Sequence, residues 1–239
     1  MVDPFSLSAN VLKVWRVSIS SQTQLHNRIQ SILSAEEIRR SAMLKLAHHR
    51  RLWQASRSAM RLILASYCET NPRNLAFSVN KFGKPRLLPP NDWLDFNTSH
   101  SEDYMVIGLT RGSPVGLDVQ WAGGKADTEK LSKAFFSPLE HQWLSELPAR
   151  QRREAFYCTW TRKEAFTKAI GLGLSLPMSN YSVTVDPCIT PRIVSVQDNS
   201  VVPDEWMLRD IPMPEGYRAS AAVYGNCTCI LADDWTDPG

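Results

Sequence analysis

The chain has 239 residues, of which 43% are hydrophobic, so it can bury a sizeable core as one large or two small domains. The formal net charge is only +3, so a nucleic-acid partner would need a local basic patch, and none is predicted. No run approaches the ~18 apolar residues of a membrane-spanning helix, and the start lacks a signal-peptide pattern. We therefore expect a cytoplasmic protein with no membrane partner. The five scattered cysteines fit reduced thiols.

The first half of the chain predicts a mixed α+β order. Alternating apolar and polar residues predict a strand over 12–19, and helical spacing predicts a helical stretch from Ser34 to Cys68. Strands are also predicted over 74–80, 105–110 and 114–120. The last two are joined by a turn that contains glycine.

The second half repeats this order. Ser137 and Glu140 have the spacing of a capping box, as do Ser34 and Glu37. A long helix with paired arginines follows the box in each half, and a strand that begins near an asparagine comes next. The intervals between these features are nearly equal in the two halves, which predicts a duplicated α+β unit. With two copies only, chance similarity is the alternative.

Asp118 and Gln120 stand at the end of the strand predicted over 114–120. The period of two places both side chains on one face and Leu117 and Val119 on the other. A carboxylate at the end of an apolar strand is one way to present an oxygen ligand to Mg²⁺. The alternative is an aspartate that terminates the strand and caps a turn.

Trp160, Glu164 and Lys168 share one face of the second long helix, because they follow each other at intervals of four. An exposed Glu–Lys pair at this spacing contributes only a few tenths of a kcal/mol. A large aromatic residue, however, usually marks the side that packs inward. A carboxylate on that side requires a cation, and a bound metal would supply one.

Several dispersed groups could bind phosphate. "FNTSHSED" offers a hydroxyl and an imidazole in a predicted loop before a strand. A histidine that is merely buried is the alternative for that imidazole. Together with two carboxylates, these groups suit Mg²⁺ and a polyanionic phosphate ligand, and they form neither a Walker loop nor a dinucleotide fingerprint. The phosphate-binding candidates are Arg50, Arg51, Lys84, Lys163, Lys168, Ser99 and His100.

The motifs "FGKP", "FNTSHSED", "PVGLDVQ", "FFSPLE" and "WTRKEAFTKAIGLGLSLP" resemble, in order and spacing, those of the Sfp-type 4′-phosphopantetheinyl transferases. The resemblance runs from about Ser34 to Gly225. It implies an α+β, pseudo-two-fold monomer of two similar α+β halves, here 1–117 and 118–239, with the metal site at their interface.

The resemblance also implies a reaction. The 4′-phosphopantetheine moiety of coenzyme A would pass to a serine of an apo acyl carrier protein or peptidyl carrier protein, and adenosine 3′,5′-bisphosphate would be released. Mg²⁺ would be required, with Mn²⁺ as the alternative. Whether the carrier belongs to fatty acid, polyketide or nonribosomal peptide biosynthesis does not follow from the sequence.

Residue roles follow from the matching motifs. The metal ligands would be Asp118, Gln120 and Glu164. The catalytic residues would be Glu164, Lys168 and Glu140, with Glu164 and Glu140 as rival candidates for the base. The residues that hold coenzyme A would be Arg50, Arg51, Lys84, Ser99, His100, Asp118 and Lys168.

Gln120 departs from the family pattern, which usually has a third acidic ligand at this place. The amide removes one negative charge, so more of the coordination would come from pyrophosphate and water. We expect altered metal affinity or preference with activity retained. A non-catalytic relative that only binds carriers or phosphate is the rival hypothesis.

A basic and apolar segment that follows the Asp118 strand is predicted to receive the acidic carrier. The alternative is a solvated loop and helix with a buried phenylalanine pair. The residues of this predicted docking segment are Lys125, Lys130, Leu131, Lys133, Phe135 and Phe136.

Overall fold

The computed structural model describes residues 7–173, 176–198 and 200–237. Within these ranges the helices are α1 (Ile29–Ile32), α2 (Ala35–Ala42), α3 (Ala47–Tyr67), α4 (Thr128–Phe135), α5 (Pro138–Glu146) and α6 (Ala149–Ile170). The strands are β1 (Val11–Ser18), β2 (Phe77–Val79), β3 (Pro85–Leu87), β4 (Leu94–Ser101), β5 (Tyr104–Arg111), β6 (Val115–Trp121), β7 (Tyr181–Val183), β8 (Ile193–Val196), β9 (Trp206–Ile211), β10 (Tyr217–Tyr224) and β11 (Cys229–Asp234). The predicted α+β class is confirmed.

Two main sheets carry the fold. The first has the order β11-β1-β5-β4 and the second the order β6-β10-β9. All pairs within them are antiparallel, except that β11 runs parallel to β1. The strands β2 and β3 form a small hairpin, and so do β7 and β8.

The elements recur in the same order in both halves. Each half runs from a strand through a helix with a capping box, a long helix and a short hairpin to two further strands. In the first half β1 pairs with β5, and β5 pairs with β4. In the second half β6 pairs with β10, and β10 pairs with β9, in the same way. The predicted boundary between residues 117 and 118 falls inside β6, and the division into halves at that point stays a prediction.

Both predicted capping boxes are present. Glu37 N donates to Ser34 Oγ (3.2 Å) and Ser34 N donates to the Glu37 carboxylate (2.9 Å). The Ser137–Glu140 pair at the start of α5 has the same two bonds at the same distances. These reciprocal bonds satisfy N–H groups that a helix start leaves without intrahelical partners.

The predicted helical stretch from Ser34 to Cys68 contains α2 and α3, which are separated near Leu46, where the backbone is extended. One prediction was wrong, because the predicted loop around Ser99 and His100 is part of β4. Polar residues made this strand look like a loop, although their side chains are used to join the two sheets, as described below.

The long helices cover the sheets. α3 packs on the first sheet through a core that includes Ile63, Leu64 and Ile107. α6 lies against β6 and β10, and Gly116 allows a very close approach, because a Cβ there would lie 2.2 Å from the carbonyl oxygen of Ala165. This contact fixes the distance between α6 and the strand that carries Asp118.

The C-terminal segment returns to the first half of the chain. β11 adds a parallel strand beside β1, and the buried Trp235 joins the core under α3. Arg16 and Asp234 form an ion pair (2.8 Å), and so do Arg28 and Asp237 (2.7 Å). None of the helices in the described part of the chain has the length and apolarity needed to cross a membrane.

Candidate active site

The two sheets meet along β4 and β6 through side chains. Leu117 N donates to Asn97 Oδ1 (2.9 Å), and Trp121 N donates to Ser101 Oγ (2.9 Å). Between them Val119 N lies 3.4 Å from Ser99 Oγ. Every second residue of β4 thus accepts a bond from the backbone of β6. This arrangement gives Ser99 a fixed place beside the Asp118 strand.

Asp118 is the centre of a buried polar cluster. Its Oδ1 accepts hydrogen bonds from Ser99 Oγ (2.8 Å) and Lys168 Nζ (2.6 Å). Its Oδ2 accepts from Gln120 Nε2 (3.0 Å). Lys168 Nζ also lies 3.1 Å from Ser99 Oγ. The structure therefore brings together four of the predicted site residues, and the Gln120 amide orients the carboxylate of Asp118.

Glu164 lies on the same side of α6 as Lys168 and is half-buried. Burial raises the pKa of its carboxyl, the nearby charge of Asp118 raises it further, and Lys168 lowers it. Its carboxylate makes no hydrogen bond or ion pair with any residue in the described ranges. A bound cation would stabilise the ionised form of a carboxylate in this setting.

Trp160, one turn before Glu164, faces an aromatic cluster. Its ring lies 5.7 Å from Phe156 and 5.7 Å from Phe135, measured between centroids. The sequence predicted that Trp160 and Glu164 mark an inward side of the helix. Both side chains are partly buried, as that prediction requires.

The helix α6 ends at Gly171, which takes a left-handed conformation with φ of 75°. Gly173 also has positive φ. Leu174 and Ser175, the next residues of the motif, lie outside the described residues. The end of the helix is held from the other half of the chain, because Asn80 Nδ2 donates to Gly171 O (3.0 Å).

Lys84 serves the same helix end. Its ammonium group donates to Ala169 O (2.9 Å) and to Val115 O (3.0 Å). Burial lowers the pKa of Lys84 to about 8. Lys84 therefore caps α6 and ties it to β6, and it lines a cavity of about 180 Å³ that Ser99 and His100 do not line.

Ser99 and His100 line a different cavity of about 360 Å³, between β4 and α3. α3 contributes His49, Trp53 and Arg57 to it, one from each successive turn. The sequence analysis missed these three residues, although their spacing of four along a helix would have placed them on one face. The cavity has an aromatic and basic wall, and its lining includes Ser99, whose Oγ donates to Asp118.

Arg50 and Arg51, the α3 residues predicted to bind phosphate, do not line this cavity. Arg50 donates to the backbone carbonyl of Leu44 (2.9 Å) in the loop between α2 and α3. Arg51 is exposed. The structure therefore brings Arg57, and not this pair, next to Ser99 and His100.

Glu140 is fully buried, and both of its oxygens are bonded. They accept from Lys163 Nζ (2.8 and 2.7 Å), from Ser137 N (2.9 Å) and from Val183 N (2.8 Å). Burial lowers the pKa of Lys163 to about 8, against the charge of Glu140, which raises it. These contacts leave Glu140 no free lone pair toward a substrate and favour Glu164 as the base.

The residues around Glu164 fit Mg²⁺. Asp118 and Glu164 supply carboxylate oxygens, and Gln120 supplies an amide oxygen, which are the hard ligands that this ion prefers. The half-buried Glu164 lacks a cation, as noted above. Among the described residues, no cluster of three or more His, Cys, Asp or Glu could hold a metal. A site here would therefore depend on Gln120, on the substrate and on water for its remaining ligands.

The comparisons with known proteins cover the part of the chain that carries this site. Residues 114–222, which include Asp118, Glu164 and Lys168, match the model of the 4′-phosphopantetheinyl transferase superfamily. The chain is 30% identical over 222 residues to the 4′-phosphopantetheinyl transferase HetI of Nostoc sp., and the match covers 92% of this chain and 90% of that protein. The chain belongs to the 4′-phosphopantetheinyl transferase family.

Two Bacillus subtilis relatives match shorter parts of the chain. A 4′-phosphopantetheinyl transferase is 36% identical over 113 residues, which is 47% of this chain and 49% of that protein. The 4′-phosphopantetheinyl transferase Sfp is 30% identical over 124 residues, or 52% of this chain and 54% of that protein. The prediction of an Sfp-type transferase is therefore confirmed, as is the prediction that the protein is an enzyme of this class.

Proposed function

We propose that this 4′-phosphopantetheinyl transferase moves the 4′-phosphopantetheine moiety of coenzyme A onto a serine of an apo acyl or peptidyl carrier protein. The serine oxygen would form a bond to the phosphorus that bears the pantetheine. The bond from that phosphorus to the adenylate phosphate would break, and adenosine 3′,5′-bisphosphate would leave. The observation that carries the proposal is the Asp118–Lys168–Ser99 cluster, with the half-buried Glu164 beside it.

Lys168 and Ser99 suit the binding of the pyrophosphate. The side chain of Lys168 is 29% exposed, and its ammonium group already lies between a carboxylate and a hydroxyl. It can shift from Asp118 to a phosphate oxygen and stabilise the negative charge of the leaving group. Asp118, Gln120 and Glu164 would hold Mg²⁺, which when bound neutralises charge on the transferring and leaving phosphates.

Glu164 is the base in this proposal. Its carboxylate is half-buried beside Asp118 and makes no hydrogen bond within the described residues, so it can accept a proton without giving up a bond. The proton of the carrier serine would pass from the hydroxyl oxygen to the Glu164 carboxylate. Glu140 cannot take this proton without giving up bonds to Lys163, Val183 N or Ser137 N.

The cavity between β4 and α3 suits the nucleotide part of coenzyme A. Trp53 offers an aromatic face, and His49, Arg57 and His100 offer donors for phosphate. The cavity reaches Ser99, so a ligand in it would extend to the Asp118 cluster. In this proposal Lys84 does not contact coenzyme A directly. It holds the end of α6, the helix that carries Lys168.

The carrier would dock on α4 and the loop before it. Lys125, Lys130 and Lys133 are exposed, and 46% of the Phe135 surface is accessible. Phe136 does not belong to this surface, because it is buried and stacks on Phe156. We further propose that the enzyme acts as a monomer in the cytoplasm, which agrees with its free cysteines.

The release of adenosine 3′,5′-bisphosphate tests the proposal. The protein is mixed with coenzyme A, Mg²⁺ and an apo carrier protein, and the nucleotide is measured by anion-exchange chromatography. We expect one nucleotide per apo carrier and none when the carrier serine is replaced by alanine. Absence of nucleotide with several acyl and peptidyl carriers would contradict the proposal and favour a binding protein.

A further inference from the structure

A buried ionic group supports α6 on a face next to the one that carries Glu164 and Lys168. The ammonium group of Lys163 is fully buried and has three acceptors, namely both oxygens of Glu140 and the carbonyl of Tyr181 (2.6 Å). An ammonium group has three N–H donors, so all of them are used. Nothing about Lys163 is available to a substrate.

Glu140 connects three elements at this point. It belongs to the capping box of α5, it accepts from Val183 N on β7, and it binds Lys163 on α6. Glu140 thereby fixes the position of α6 relative to the start of α5 and to β7.

Tyr181 adds two further bonds to the same turn of α6. Its hydroxyl donates to the carbonyl of Lys163 (2.8 Å) and lies 2.7 Å from Thr167 Oγ1. The turn is therefore held through the side chain of Lys163, through its backbone and through Thr167. Like the Lys163 ammonium, the tyrosine ring is almost fully buried.

Glu164 and Lys168 follow Lys163 and Thr167 by one position each. In an α-helix the two pairs lie on faces about 100° apart, so both pairs move when the helix rotates about its axis. A rotation that displaced Glu164 from Asp118 would also separate Lys163 from Glu140. Breaking a buried ion pair leaves an uncompensated charge, so such a rotation is strongly opposed.

We propose that Glu140, Lys163 and Tyr181 are positioning residues that fix the rotation of α6 and hold Glu164 and Lys168 opposite Asp118. The proposal rests on the proposed function, since it assigns these residues to the transfer reaction. It also gives Glu140 a role other than that of the base.

The test compares the double variant E140M/K163M with the wild type. Two methionines of similar volume avoid an unpaired buried charge, so the variant is expected to stay folded. Its Tm should fall, because Ser137 N and Val183 N lose their acceptor. Without the ion pair α6 is held less firmly at Glu164, and we expect kcat to fall by about 100-fold. The KM for coenzyme A should stay the same, because the cavity beside α3 is not touched.

Y181F provides a second, milder variant. It removes only the hydroxyl group, and we expect a smaller loss of kcat with the KM for coenzyme A unchanged. E37Q is the matched control for kcat, because Glu37 has the same capping-box position in the other half and pairs with Arg61 and Arg57 on α3. Since Arg57 lines the cavity beside α3, this control should lower Tm and raise the KM for coenzyme A, while kcat at saturating coenzyme A is retained.

Native kcat in a folded E140M/K163M, or a fall in kcat for E37Q as large as that for E140M/K163M, would overturn the proposal. A fall for E140M/K163M with full kcat for Y181F would assign the loss to Glu140 itself and would also overturn it. Failure of the proposed function has a different signature, because the wild type would then release no nucleotide at all.

Discussion

At the scale of single residues, Gln120 is the unusual feature of the site. Its amide nitrogen donates to Asp118 Oδ2, so it orients a carboxylate that a glutamate in its place would repel. Compared with an acidic residue at this place, Gln120 therefore lacks one negative charge and gains one hydrogen bond to Asp118. The pair Asp118 and Glu164 then carries the full negative charge available to a metal at this cluster.

The variant Q120E is expected to bind Mg²⁺ more tightly. One more unit charge at a distance of ~4 Å from a divalent ion contributes about 2 kcal/mol even in water, so the half-saturating concentration of Mg²⁺ should fall by about 30-fold. The measurement is the rise of Tm with added Mg²⁺, followed in parallel with turnover. Q120A is the control, since it loses the bond to Asp118 without a gain of charge and should bind Mg²⁺ no more tightly. Unchanged or weaker binding by Q120E would remove Gln120 from the metal site.

Much of the residue-level site could be predicted from the sequence. The strand period predicted that Asp118 and Gln120 share a face, and the helix period predicted that Glu164 and Lys168 do. That these two faces meet was implied by the family resemblance and not by either period, and the structure shows the contact between Asp118 and Lys168. His49, Trp53 and Arg57 were missed because they line a cavity only when β4 packs against α3. That packing is a tertiary contact and leaves no mark in the local pattern.

At the scale of elements, the end of α6 depends on the β2–β3 hairpin. Lys84 and Asn80 supply side-chain donors to carbonyl oxygens that the end of a helix leaves unpaired. A cation at this position also interacts favourably with the negative end of the helix dipole. The hairpin therefore positions the helix that carries Lys168.

The pH dependence of stability should reveal Lys84. Burial lowers its pKa from 10.5 to about 8, so between these values the unfolded chain retains a proton that the folded chain has released. The free energy of unfolding should therefore rise with pH across this window, relative to K84M. Urea unfolding of both proteins at pH 7 and pH 10 measures the difference. The exposed neighbour Lys81 is the control, and K81M should follow the wild type; a constant difference between wild type and K84M would contradict the burial of this charge.

α4 is the element expected to meet the carrier protein. Charge reversal in K130E or K133E should raise the KM for an acidic carrier about tenfold and leave the KM for coenzyme A unchanged, because complementary charges mainly act on association. Arg73 is an exposed cation in the other half, and R73E gives the same change of charge as a control. Equal changes in both KM values, or the same effect in R73E, would argue against docking on α4.

The wrong prediction of a loop at Ser99 and His100 has a physical cause. The stretch "FNTSHS" has five polar residues in a row, so it lacks the alternation of apolar and polar residues that indicates a strand. In the structure Asn97, Ser99 and Ser101 are paired with the backbone of β6, and the first two are buried. Here polar side chains of one strand accept the hydrogen bonds that the backbone of a neighbouring strand would normally accept. Such residues cannot be distinguished from loop residues by composition alone.

At the scale of the whole molecule, the order of elements in each half followed from the duplicated pattern, whereas the connections between the halves did not. Consecutive elements are usually neighbours, yet β11 pairs with β1 from the opposite end of the chain. The side chains that join β4 to β6 and the bonds from Lys84 to α6 are also long-range. These connections set the distance between Ser99, Asp118 and Lys168, so the site belongs to the assembled molecule and not to either half.

The intact mass of an apo carrier protein, measured after incubation with the enzyme, coenzyme A and Mg²⁺, tests the central claim most directly. We predict a gain of one 4′-phosphopantetheine arm with the wild type and no gain with E164Q or with a carrier that lacks its serine. An unchanged carrier mass with the wild type across a panel of acyl and peptidyl carriers would contradict the account. A full gain with E164Q at the wild-type rate would contradict the assignment of Glu164.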